Sequence, residues 1–422
     1  MITEAFLDML YLFSCGAHGV LPKIQKINNF QDVLLHAKEQ GIINVIYPPA
    51  KELFSQGLLD IDEESFKAFK HYTMASIMAD TNRRLVVKNL LETLQKNEID
   101  FCILKGDTLS VLYNTPQTRI SSDTDIFVGQ QGFKKALSVL KDQGFEIEPI
   151  VATSHHAIAH HSIAGRIEIH RFLHDELVED AWFNNEILIC QPFRQIHITD
   201  QIVVPALGVT DGMIYVALHY IKHFLEDGVG IRQLMDTLLY MRCFRNEIDW
   251  NRFLGIMNRL KYSKFISHSI GIGIRYLGFS DKELMPVEYN EGTIDKLLCD
   301  FAEGGIFGKN TSLRKGFYLQ YTKLRISSSK NEDYRKYIKK WWKPNIIPII
   351  FPSYKHLVKK FRYLEKSRLI YPVAWIHRMW LICIDIFSGK KKISQLISPV
   401  ETDNQNYVLK RRIELVQELE MI

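Results

Sequence analysis

No stretch of 18 or more residues in this 422-residue chain is free of charge, so the sequence offers no membrane-spanning helix. The nearest run, "LIYPVAWIHRMWLICIDIF", is interrupted by Pro372, His377, Arg378 and Asp385. The six cysteines are scattered and no two form a C-x-x-C pair, which argues against a zinc ribbon or a disulfide framework and fits a reducing cytoplasm. The N-terminal "MITEAFLDMLYLFSCGAHG" lacks a basic leader and carries Glu4 and Asp8. It is expected to form an amphipathic helix capped by Thr3 rather than a signal peptide. Internal repeats and low-complexity tracts are also missing. What remains is 46% hydrophobic and 24% charged, enough for a sizeable core, in a chain too long for one typical domain.

The net charge of +5 conceals an asymmetry. Residues 301–422 hold 24 Lys and Arg against 10 Asp and Glu, whereas the first 300 hold 29 against 38. A basic tail on an acidic body suits an anionic surface, the body itself, or plain solvation. Trp341, Trp342, Trp375 and Trp380 interleave with its lysines, in a segment punctuated by Pro344, Pro348, Pro352 and Pro372. Such a mixture fits contact with an anionic membrane or, less well, nucleic acid, and Trp at this spacing is more often core.

Hydrophobic periodicity predicts helices through residues 1–96, including "NFQDVLLHAKEQGI" and one long helix beginning at "EESFKAFK". The pattern then changes. "FCILKG" reads as a buried strand entering a turn, "DTLSVLYN" as a short helix, "PQTRISSD" as a loop and "TDIFV" as a second strand. "GFKKALSVLKDQG" is a helix closed by Gly144, "FEIEPI" a strand, and "AIAHHSI-AG-RIEIHRFL" a hairpin. Helices return after about residue 200. The expected fold class is α+β, a small mixed sheet with helices on one side, flanked by N-terminal and C-terminal helical regions. The expected divisions are 1–96, 97–195, 196–300 and 301–422.

Asp123 and Asp125 lie two apart on a strand and so share one face, with Ile126 and Val128 alternating toward a core. Two converging carboxylates do not both ionise comfortably without a cation between them. Mg²⁺ or Mn²⁺ suits such an oxygen site. "RIEIH" supplies a third carboxylate, Glu168, on a strand where Arg166, Glu168 and His170 share a face; Glu148 is the alternative. Gly106 ends the first strand and opens the short helix, a geometry that favours an anion. Lys105 and Arg119 add positive charge nearby. A Gly turn, two acids and a further acid, in that order, fit metal-assisted transfer of a nucleotidyl group.

The stretch "ILKGDTLSVLYNTPQTRISSDTDIFV" resembles the signature of the bacterial uncharacterised nucleotidyltransferase family, within the polymerase-β-type superfamily. Leu104, Lys105, Gly106, Leu109, Tyr113, Arg119, Asp123 and Asp125 carry the resemblance. It continues at "IEIH" and at His219, Lys222, His223, Gly230, Arg232 and Asp236 in "HYIKHFLEDGVGIRQLMD", and the stretch from "FPSYKHLVKK" to "WIHR" is similar to the family's C-terminal segment. The resemblance implies a nucleotidyltransferase core at 97–195 and two-metal transfer of NMP from an NTP. The superfamily usually has Ser or Gly after the turn glycine and a hydrophobic residue inside the acid pair; here Asp107 and Thr124 stand there.

Two further patterns bear on a site. "SHHAIAHHSI" would stack His156 and His160 on a helix but lacks the Glu of H-E-x-x-H and reads better as a strand. His219, Lys222, His223 and Glu226 form one polar stripe, and Arg232 and Asp236 stand at i, i+4. These groups suit either a solvated face with a routine ion pair or helices closing over a nucleotide. The expected activity is NMP transfer to a hydroxyl or phosphate of a small molecule or glycan intermediate. Metal would be held by Asp123, Asp125 and Glu168, and NTP by Lys105, Gly106, Arg119, Lys222, His223 and Arg232. The alternatives are a catalytically inactive nucleotide-binding or regulatory module of the same fold, and a scaffold at the inner membrane surface in envelope polysaccharide synthesis.

Overall fold

Thr3 opens the first helix as expected: its Oγ1 accepts the Phe6 amide hydrogen at 3.2 Å, and α1 (Glu4–His18) runs to Gly19. This computed structural model describes residues 2–150, 154–173, 189–226, 228–305, 321, 371–387 and 403–422. The chain divides into two compact units, residues 1–309 with 415–421, and residues 310–414 with 422. Most of the second lies outside the described residues, including Trp341 and Trp342, so the membrane-contact expectation for the basic segment rests mainly there. No described helix is long and apolar enough to cross a membrane.

After α2 (Phe30–Glu39) and α3 (Tyr47–Ser55) comes the long α4 (Glu63–Lys96), whose N-cap Asp62 accepts the Ser65 amide at 2.8 Å. A side-chain oxygen there satisfies a backbone donor that has no partner inside the helix. The strands are β1 (Cys102–Ile103), β2 (Asp123–Phe127), β3 (Glu146–Ile147), β4 (His156–His161), β5 (Gly165–His170), β6 (Arg194–Thr199) and β7 (Ile202–Ala206). They form one mixed sheet in the order β3-β4-β5-β2-β1-β7-β6. The central pair, β2 and β5, is parallel, and β4–β5 is the expected antiparallel hairpin.

The period of two along a strand divides the sheet into a dry face and a polar face. Ile126 from β2 and Ile167 and Ile169 from β5 point to the dry side, each fully buried. There they meet Leu90 and Leu94 of α4 and Phe133, Ala136 and Leu140 of α6 (Gly129–Asp142). Burying each isoleucine contributes roughly 1.5–3 kcal/mol, so this layer fixes the strand register. The opposite face carries Asp123, Asp125, Glu168 and His170. It looks into a cavity walled by α7 (Val209–Glu226) and α8 (Ile231–Cys243).

The structure differs from the sequence reading in four places, first in that helices stand over both faces of the sheet rather than one. The sheet continues beyond residue 195 through the β6–β7 hairpin, and β7 pairs with β1 in parallel. "DTLSVLYN" forms only α5 (Asp107–Ser110), a single turn. "FEIEPI" contributes only the two residues of β3. The extra hairpin was hidden because Pro205 within "IVVPA" argues against a strand.

Candidate active site

The β2–β5 register sets Asp125 directly beside Glu168 and Asp123 beside Arg166. With i and i+2 on one face, three carboxylates converge on one wall of the cavity, which encloses about 530 Å³. Asp125 is almost fully buried. His170 approaches from the end of β5, its Nε2 at 3.2 Å from Asp125 Oδ1 and 3.5 Å from Glu168 Oε2. Arg166 Nη2 lies 2.7 Å from Glu168 Oε1. Glu148, the alternative third acid, points elsewhere, half exposed and 2.6 Å from His160 Nε2.

A positive charge does stand by the two aspartates. Lys105 Nζ lies 3.8 Å from Asp123 Oδ2 and 3.4 Å from Asp125 Oδ2. The ammonium also lies 2.9 Å from His219 Nε2. An ammonium only donates, so His219 accepts on Nε2 and carries its proton on Nδ1. His223 Nε2 is 2.9 Å from His219 Nε2.

Burial is the largest influence on Asp123 and, with Asp125 and Glu168 nearby, raises its pKa against the opposing charges of Lys105 and Arg232. Burial also acts to raise Glu168, but the hydrogen bond and charge of His170, then His156 and Lys105, hold its carboxyl well below the usual range. His170 responds in the opposite sense. Burial favours its neutral form, yet Asp125 and Glu168 together raise its pKa. Burial, Lys105 and Lys222 lower His223 to about 3, so this imidazole is neutral.

Asp125 Oδ2 is buried without a hydrogen bond, and carboxylate oxygens of this kind are what a hard divalent cation takes. One ligand atom each from Asp125, Glu168 and His170 lies within 4.8 Å of the others. The carboxylates therefore fit a cation, with His170 Nε2 standing against Asp125 at 3.2 Å.

Gly106 adopts φ 77°, and a Cβ there would stand 2.9 Å from Ser121 Oγ. The glycine thus lets the β1 turn close against the loop that leads to the aspartates. The helix after it is a single turn. Asp107 at its start meets Arg83 Nη2 at 2.5 Å and Arg84 Nε at 3.3 Å. Asp80 completes this buried group, 2.8 Å from both arginines. The sequence signal was the charged set Asp80, Arg83 and Arg84 at i, i+3 and i+4, next to the apolar stripe of α4.

Arg119 and Arg232 divide differently from expectation. Arg119 binds Asp236 through Nη2 at 2.5 Å and Nε at 3.2 Å and donates from Nη1 to Ser121 Oγ at 3.1 Å. Tyr113 donates its hydroxyl to the same Asp236 at 2.8 Å. Of the two readings left open for Arg232 and Asp236, the routine ion pair gives way to an Arg119–Asp236 pair that ties the pre-strand loop to α8, and most of Arg119's donors are committed. Arg232 donates to the Ile120 carbonyl at 3.3 Å, while its Nε is buried without a partner. Burial, then the neighbouring Arg119, lowers its pKa. An underused guanidinium facing a cavity suits an anionic ligand. The stripe of His219, Lys222, His223 and Glu226 also faces this cavity rather than bulk solvent.

A family model described as "Uncharacterised nucleotidyltransferase" matches residues 28–277. Comparison with curated proteins finds no match. Among solved structures the chain is similar to lincosamide antibiotic adenylyltransferase LnuA bound to lincomycin. The identity is 16% and the TM-score 0.28, over 37% of this chain and 94% of that one. It is also similar to a tRNA-processing enzyme in an apo form, at 14% identity and a TM-score of 0.23, over 81% of this chain and 90% of that one.

Proposed function

The chain belongs to the uncharacterised nucleotidyltransferase family, and on that premise we propose that it moves NMP from an NTP to a hydroxyl or phosphate of a small molecule or glycan intermediate. The observation that carries this reading is the convergence of Asp123, Asp125 and Glu168 on one cavity wall, with Asp125 Oδ2 buried and lacking a hydrogen bond. These three residues would hold Mg²⁺ or Mn²⁺, with His170 Nε2 set against Asp125. When bound, such an ion supplies charge neutralisation for the phosphates and polarises the acceptor oxygen.

The chain's own groups account for the remainder. Arg232 and Lys222 present positive charge to the triphosphate from the helical wall. Lys105 offsets repulsion between the aspartates while no nucleotide is present. The acceptor oxygen forms a bond to the α-phosphorus, the bond to the β-phosphate oxygen breaks, pyrophosphate leaves, and a carboxylate of the cluster takes the acceptor proton. His223, neutral and buried, packs the far side of His219 rather than carrying charge to the phosphates.

One observation favours a second reading. Lys105 already stands near both aspartates, as it would in a nucleotide-binding module that needs no metal. Calorimetry with NTP, with and without Mg²⁺, separates the two. Under the catalytic reading, binding requires Mg²⁺, disappears in Asp123→Asn/Asp125→Asn, and is accompanied by pyrophosphate release when an acceptor is supplied. Mg²⁺-independent binding that survives in the variant would establish the module instead.

A further inference from the structure

The histidines of "SHHAIAHHSI" are not used by the reading above, and the fold gathers two of them against a third. The β4–β5 register pairs His156 with His170 across the hairpin. His155 is drawn into the same place because its carbonyl accepts the amides of Arg171 at 2.9 Å and Phe172 at 3.3 Å. The ring centroids are 4.1 Å apart for His155–His156, 5.4 Å for His155–His170 and 5.2 Å for His156–His170. His155 and His170 are buried. One nitrogen from each ring lies within 4.8 Å of the other two.

We propose that His155, His156 and His170 form a second cation site, for a borderline divalent transition-metal ion of the zinc type, adjoining the carboxylate cluster. Three imidazoles suit such an ion, whereas Mg²⁺ takes oxygen. The surroundings have the form that metal-binding histidines require. His170 turns Nε2 toward Asp125 and Glu168, and His156 Nε2 lies 3.7 Å from Glu168 Oε2. A ligating imidazole characteristically donates its second N–H to a carboxylate, which fixes its tautomer and orientation. With His170 Nε2 committed to Asp125, its Nδ1 is left as the ligand atom, and that nitrogen is buried with no hydrogen-bond partner. His156 Nδ1 stands 2.8 Å from His155 Nε2, so those two nitrogens already face one another.

The site is independent of the nucleotide reading, and its test keeps the two apart. Co²⁺ is titrated into the full-length chain and followed by its visible absorption, which is intense for a nitrogen-rich site of low coordination number and weak for an octahedral oxygen site. The expected result is one equivalent of intense absorption, removed by Zn²⁺. It should weaken at least about tenfold in affinity in His155→Ala/His156→Ala and persist in Asp123→Asn. NTP–Mg²⁺ binding by the histidine variant should stay within about twofold of wild type. Should the double alanine variant fail to fold by circular dichroism, His156→Gln serves in its place. Absence of the absorption in wild type, its survival in the histidine variants, or its loss in Asp123→Asn would overturn the proposal. Loss of NTP binding in wild type with the Co²⁺ signal intact would overturn only the nucleotidyl-transfer reading.

Discussion

Arg83 Nη1 donates to Thr124 Oγ1 at 2.7 Å, a buried bond that spans 41 positions of sequence. Thr124 stands between the two aspartates and points to the opposite face of β2. The same guanidinium meets Asp107, the residue after the turn glycine. The two positions at which this chain departs from the usual superfamily pattern are therefore held by one side chain. Through it, α4 fixes both the turn and the strand that carry the candidate site.

Replacing Arg83 by Met should remove the nearer of the two arginines that meet Asp107 and one of the two that meet Asp80, leaving two buried carboxylates to share Arg84. The expected cost is about 3–5 kcal/mol, read as a shift in urea midpoint. Arg83→Lys should recover little, because a single ammonium does not reproduce the guanidinium fork. Thr124→Val should cost about 1–3 kcal/mol. In the double variant the two losses should not add.

Lys105→Met removes the ammonium beside Asp123 and Asp125. A divalent cation then no longer displaces a resident charge, so Mn²⁺ alone should bind about tenfold more tightly, while NTP affinity falls. Electron paramagnetic resonance reads the free Mn²⁺ directly. Weaker Mn²⁺ binding in the variant would mean that Lys105 supports the cation rather than competing with it.

Arg232→Gln should weaken NTP binding by more than about tenfold, because a charge-assisted contact to phosphate is lost. Arg119→Gln should instead lower stability, since its guanidinium is bound to Asp236. Calorimetry and thermal melts on both variants separate the two roles. Equal effects of the two variants on NTP affinity would contradict this division.

Gly106→Ala combines an unfavourable positive φ with a close approach to Ser121 Oγ. With φ 77° and ψ −102°, outside the left-handed helical region, the conformational cost alone is about 1–3 kcal/mol. A Ser121→Gly partner substitution should relieve the contact but not the backbone term, so thermal denaturation of the pair should show partial rescue.

Stability should fall with acidity in a window set by His223, lowered from 6.5 to about 3. Between those values the unfolded chain binds a proton that the folded chain does not, so stability is lost as pH drops below 6.5. From pH 7 to pH 5 the wild type should lose about 2 kcal/mol more than His223→Gln, which lacks the titrating ring. Urea titrations at the two pH values measure the difference.

Much of this arrangement was legible in the chain because it depends on short-range periodicity. Alternation in "DTDIFV" and "RIEIH" already places Asp123, Asp125 and Glu168 on polar faces, and Thr3 and Gly144 mark helix ends. The choice of Glu168 over Glu148 matches the cavity lining for the same local reason. The β6–β7 hairpin was missed because Pro205 is a poor strand residue. The polar stripe of α7 left two readings open, because helical spacing shows that His219 and Lys222 share a face but not what that face meets.

The sequence by itself determined which residues share a face and which segments are strand or helix, since those follow from side-chain spacing and backbone sterics. Which faces meet was decided by the fold. Only strand register set Glu168 beside Asp125 and His156 across from His170. Helix packing gave Asp236 to Arg119 rather than to its helical neighbour Arg232, and it drew Arg83 beneath Thr124. Those choices depend on burial and charge across long loops. A buried carboxylate takes the cation that packing brings to it, and local spacing carries no information about which cation that is.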